Sequence, residues 1–198
     1  TSGTEPAQEP TRAGYTFDGW YSDAGYDHLL SNEETYEYVP LGPLRHIYPV
    51  FMPGEIQLDA LNTANCYIAP ELLRDYSFDA TVQGNGCATL NITPQRLSGA
   101  YARLIWETGT QANSVISSLG YDGSRIRFRT GTQQGNALIG LFNVGGECVW
   151  SWHIWVANYD PESSSQKYSS GDIFMDRNLG AVETDYTKVT ACGPYYQW

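Results

Sequence analysis

Four cysteines and three histidines are the first residues of this 198-residue chain that could do chemistry. The cysteines stand at positions 66, 87, 148 and 192, and the histidines are His28, His46 and His153. They form no CxxC pair and no Cys/His ligand spacing, so neither a metal nor another cofactor is expected. Nucleophilic catalysis needs a Ser or Cys beside a base that a third group orients. No Gly-x-Ser-x-Gly elbow occurs, and the histidines lie far apart in the sequence. His153 sits in a Trp-rich stretch, where a hydrogen-bonded structural imidazole is the expected role. A pocket joining His153 to a cysteine would instead favour an enzyme. The cysteines allow three complete disulfide pairings. Cys66 and Cys148 read equally well as core thiols, Cys148 because it alternates in phase with Trp150 and Trp152.

Two acidic loops were weighed as calcium sites, Asp18, Asp23 and Asp27 in one, and Asp160, Glu162, Asp172 and Asp176 in the other. Calcium needs six to eight converging oxygens, and neither stretch has the spacing of a calcium loop. Solvated acids are expected. Asn91-Ile92-Thr93 is a glycosylation sequon on which no modification is expected. Aromatic rings are the better lead to a ligand. Trp20, Tyr21 and Trp155 are the candidate ligand-binding residues, by stacking on a sugar or on a protein partner. On the stretch 147–156 both faces carry Trp, so at most one face can meet solvent. Trp150 and Trp152 are expected in the core.

The elements that would carry these residues are strands. The chain holds 15 Tyr, 6 Trp and 6 Phe against 2 Met, with 20 Gly and 10 Pro as punctuation. Aromatic and β-branched residues favour strands, and Gly and Pro mark the turns between them. Tyr15, Phe17 and Tyr21 fall on one strand face, with Gly19 permitting a bend. Residues 44–51 make a closing strand, at a sheet edge because of Pro49. Pro53-Gly54 breaks the chain. Tyr76, Phe78 and Ala80 alternate with polar neighbours. Arg103–Glu107 and Val115–Leu119 are further strands, and Tyr121-Asp122-Gly123-Ser124 is a hairpin turn. In Arg125–Arg129 three arginines face water while Ile126 and Phe128 turn inward. Residues 137–142 are apolar throughout, as a central strand covered on both faces would be. The strand 148–156 sets Cys148, Trp150, Trp152, Ile154 and Val156 on one face, and Val149, Ser151, His153 and Trp155 on the other. Pro70–Arg74 could form one helical turn. The fold expected is mainly β: a small module over 14–57 after a linker over 1–13, an antiparallel sandwich or barrel over 58–157, and an extension over 158–198.

Eleven Lys and Arg stand against 22 Asp and Glu, a net charge of −11. This excludes a basic nucleic-acid footprint and docking on anionic lipid. No run of 18 apolar residues is present, so no membrane span is expected. The last residues, Tyr195, Tyr196 and Trp198, are aromatic where termini are usually polar. That ending reads as a fragment of a longer protein.

The block Pro10-Thr11-Arg12-Ala13-Gly14-Tyr15-Thr16-Phe17-Asp18-Gly19-Trp20-Tyr21-Ser22-Asp23 resembles the Listeria–Bacteroides repeat, the internalin B-type repeat. That repeat is a small β-grasp-like module of surface proteins. The chain departs from it where the usual closing Tyr-Ala-Lys-Trp gives way to Ile47-Tyr48-Pro49-Val50-Phe51. Ala64–Ile68, Trp106–Gly109, Gly135–Ile139 and Trp150–Trp155 resemble a segment recurrent in surface lipoproteins of Bacteroidales. Phe174–Ala181, with Tyr195-Tyr196-Gln197-Trp198, resembles the opening of the Fibrobacter major paralogous domain, related to C-type-lectin-like folds. That superfamily includes cysteine-dependent oxidases, but no match to their cysteine pattern occurs here. The resemblances imply an extracellular or outer-cell-surface location and an architecture, and they imply no known activity. A non-enzymatic adhesion or scaffold segment is expected, with a protein or glycan partner at the cell surface. A glycan-binding module using exposed aromatics is the alternative.

Overall fold

A computed structural model describes residues 15–21, 29–31, 47–84 and 93–194. The chain divides into two compact units, Thr1–Glu55 and Ile56–Trp198.

In the first unit, β1 (Tyr15–Tyr21) lies between β2 (Leu29–Ser31) and β3 (Tyr48–Pro53), antiparallel to both. Its register with β3 slips between Phe17 and Gly19. The extra residue, Asp18, reverses the alternation beyond it. Phe17 and Trp20 therefore share a face, their rings meeting edge to face at 5.5 Å. Tyr21 turns to the opposite face, which corrects the expected grouping of Tyr15, Phe17 and Tyr21. Pro49 lies on β3, an edge strand, where its missing N–H breaks no interior ladder. Residues 22–28 and 32–46, on which the β-grasp-like expectation depends, lie outside the described residues.

The second unit is a β-sandwich. One sheet has the order β5 (Cys66–Ala69), β11 (Cys148–Val156), β10 (Gly135–Phe142), β7 (Tyr101–Glu107). The other has the order β4 (Ile56–Gln57), β6 (Asp75–Asp79), β9 (Arg125–Thr130), β8 (Ile116–Tyr121). The sheets do not close into a barrel. Most pairings are antiparallel, but β5 joins β11 and β4 joins β6 in parallel. Tyr67, Ile139, Trp152 and Ile154 from the first sheet meet Tyr76, Phe78, Ile126 and Phe128 from the second in one buried cluster. Phe78 joins the layers, 5.0 Å from Tyr67 and 5.2 Å from Trp152 between ring centroids. Each such ring stabilises the fold by about 1.5–3 kcal/mol through burial. Where the chain crosses between sheets, the Glu107 carboxylate accepts the backbone N–H groups of Ser114, Val115 and Ile116 at 3.0–3.3 Å.

Two sequence expectations fail locally. Pro70–Arg74 is a series of bends rather than a helical turn, with Leu73 left-handed at φ 54°. Cys148 is exposed rather than a core thiol. The register of β10 with β11 slips so that Phe142 faces Cys148 while Leu141 faces Trp150. Val149 is the extra residue, and it moves Cys148 out of phase with Trp150.

Residues 158–194 form a covering segment. Asp160 caps the short helix α1 (Pro161–Ser164) by accepting the Glu162 N–H, and Pro161 opens it. β12 (Gln166–Lys167) pairs with β13 (Ile173–Phe174), and a 3₁₀ turn follows at Val189–Ala191. Tyr159 and Ala181 of this segment are buried.

Candidate functional site

The parallel pairing of β5 with β11 sets Cys66 opposite His153. The Cys66 Sγ lies 3.1 Å from His153 Nδ1. His153 Nε2 lies 2.8 Å from the Asn136 Oδ1 on the neighbouring β10. The Asn136 Nδ2 donates to the Gly180 carbonyl at 2.8 Å. A carbonyl oxygen only accepts, so the amide nitrogen must face Gly180 and Oδ1 must face the imidazole. His153 therefore donates through Nε2–H. In the neutral ring Nδ1 is then bare, and it accepts the Cys66 S–H.

Nucleophile, base and orienting amide thus stand in one row, the constituents of a thiol catalyst. Burial decides their state. It pushes the Cys66 thiol up to about 12 and His153 down to about 4. Both shifts disfavour the thiolate–imidazolium pair that such catalysis uses. The row is a chain of neutral hydrogen bonds, and His153 and Asn136 are both buried. It fastens three strands and the covering segment together. The structural role of His153 is legible in the sequence, but its partners, 87 and 17 residues away, leave no local signal there.

Beside the row, Trp155 is 0% exposed. Its ring lies 4.9 Å from Tyr159, and the Arg177 guanidinium covers Tyr159 at 4.3 Å. Arg177 is held in turn by Asp176 through two bonds of 2.8 and 3.0 Å. Trp155 therefore has no face on which a ligand could stack. Trp20 is 6% exposed and likewise buried, and Tyr21 is half-buried. Of the three sequence candidates, the two tryptophans are corrected from ligand platforms to packed rings. His28, His46, Cys87 and the Asn91 sequon lie outside the described residues. Cys66, Cys148 and Cys192 are free thiols.

The acids of the covering segment have individual roles. Asp160 caps α1, Asp172 accepts the Ser170 hydroxyl, and Asp176 holds Arg177. An open depression of about 300 Å³ here is lined by Met175, Asp176, Arg177, Asn178, Glu183 and Tyr186. Its two strongest charges are already paired with each other. Among the described residues, no three His, Cys, Asp or Glu side chains group as a metal site.

Two exposed rings share β7. Tyr101 is 40% and Trp106 39% exposed, with Arg103 exposed between them. The sequence does not reveal them, because Arg103–Glu107 carries no sign of which face is covered.

No family model, curated protein or solved structure matches this chain. Among the described residues, no helix is long and apolar enough to cross a membrane.

Proposed function

We propose that the chain is a non-enzymatic segment of a bacterial cell-surface or secreted protein, with an adhesion or scaffold role. The observation that carries this reading is the neutral Cys66–His153–Asn136 row, half-buried at Cys66 and buried at His153 and Asn136. The one cysteine that touches a base among the described residues is committed to fastening strands to a covering segment. A thiol of this kind is inert, because the thiolate is the reactive form. The resemblances to surface repeats and to a lectin-like opening support the extracellular location.

Alkylation of Cys66 by iodoacetamide, followed across pH, tests the non-enzymatic reading. The rate should stay low at neutral pH and rise only in strong alkali. A fast plateau persisting below pH 6 would reveal a preformed thiolate and overturn it.

Glycan binding is the second reading. The exposure of Tyr101 and Trp106 favours it, and it moves the sugar platform from Trp155 to β7.

A further inference from the structure

We propose that the outer face of β7 binds an oligosaccharide bearing carboxylated sugars, with Arg103 holding the carboxylate between Tyr101 and Trp106. This rests on the glycan reading and adds the class of sugar.

The face is set by pairing. Tyr101 lies opposite Phe142 and Arg103 opposite Gly140 on β10. The register then slips at Ile105, and Trp106 falls opposite Leu138. Directly opposed residues share a face, so this bulge brings Trp106 round to the side of Tyr101 and Arg103. At about 3.3 Å per residue the two rings stand roughly 15 Å apart along the strand. That span exceeds one pyranose and suits a short oligosaccharide.

Phe142 is the floor, only 4% exposed. Tyr101 stacks on it at 5.5 Å with 10° between the planes, and the Arg103 guanidinium lies 4.4 Å from its centroid. Gly140 keeps the floor level, because a Cβ there would meet Ile105 Cδ1 and Phe142 Cε2 at 2.8 Å.

Charge selects the ligand. Arg125, Arg127, Arg129 and Arg177 each hold a carboxylate of this chain. Among the described residues Arg103 makes no such pair and no hydrogen bond, although acids outnumber bases 22 to 11. A guanidinium stacked on an aromatic ring keeps its planar N–H edge free for bidentate contact with a carboxylate. Flanking rings take the apolar C–H face of a sugar. A ring with an attached carboxylate satisfies both. Charges of the chain more than about 8 Å from the ligand act weakly on it at physiological salt.

Titration of the 198-residue chain with a panel of uronate oligosaccharides, their neutral counterparts and an oligoglutamate peptide tests the proposal. The uronates should bind, the neutral sugars at least about tenfold more weakly, and the peptide not at all. Arg103→Gln should weaken uronate binding about tenfold while the thermal transition stays in place, and Tyr101→Ala should weaken it about tenfold with a small fall in the transition, since it uncovers Phe142. Equal binding of acidic and neutral sugars, or no effect of Arg103→Gln, would overturn the carboxylate assignment and leave the glycan reading standing. Silence towards every sugar would overturn both. Binding of the peptide alone would do the same and make this face an acidic-protein site.

Discussion

The Asn136 side-chain nitrogen and the Gly180 carbonyl, 2.8 Å apart, form a hydrogen bond between the sandwich and its covering segment. Gly180 has φ +83°, and a Cβ there would stand 2.6 Å from Asn136 Oδ1 and 2.2 Å from Pro194 Cδ. The contact therefore needs glycine twice, for its left-handed backbone and for its missing side chain. Gly180→Ala and Asn136→Ala should each release residues 158–194 from the sheet. Limited proteolysis should then cut this segment well before the sandwich, at a protease level that leaves the parent chain whole.

Acid should weaken the fold through His153. Burial holds its ring down to about 4, against 6.5 for the ordinary imidazole. Between those values the unfolded chain carries a proton that the folded chain does not, so stability falls as pH drops through the window. The full difference is on the order of 3 kcal/mol. Below it, Asp122 adds a further loss, because the N–H groups of Arg125 and Ser124 hold its carboxyl at about 2. Urea unfolding at several pH values should show both phases, and His153→Gln should remove only the one between pH 6.5 and 4.

Trp155→Ala should cost about 3–5 kcal/mol, as expected for a fully buried large ring. Trp106→Ala should cost distinctly less, because the Trp106 ring is 39% exposed. Thermal unfolding of the two variants separates the packed ring from the surface ring.

Glu107→Ala should cost about 2 kcal/mol, because the backbone N–H groups of Ser114, Val115 and Ile116 lose a charged acceptor together. Hydrogen exchange should quicken first at those three amides.

Much of the sandwich was legible in the sequence. Ile126 and Phe128 point inward and the flanking arginines outward, as alternation alone indicates. Trp152 is in the core and residues 137–142 lie in the central strand β10. Periodicity failed at two bulges that each inserted one residue: at Asp18, which moved Tyr21, and at Val149, which exposed Cys148. A bulge changes phase without a distinctive residue type. The short edge strands β4 and β5 were also missed, since two to four residues give no period to read. With β5 went the partner of His153, because a parallel pairing across 87 residues leaves no local trace.

The protonation of His153 tests the account most directly. Nitrogen-15 spectra of its ring at pH 7 should show a protonated Nε2 and a bare Nδ1, beside a Cys66 Cβ shift typical of a thiol. Two protonated ring nitrogens at that pH, reverting to one in Cys66→Ser, would mean a thiolate–imidazolium pair and would contradict the non-enzymatic assignment.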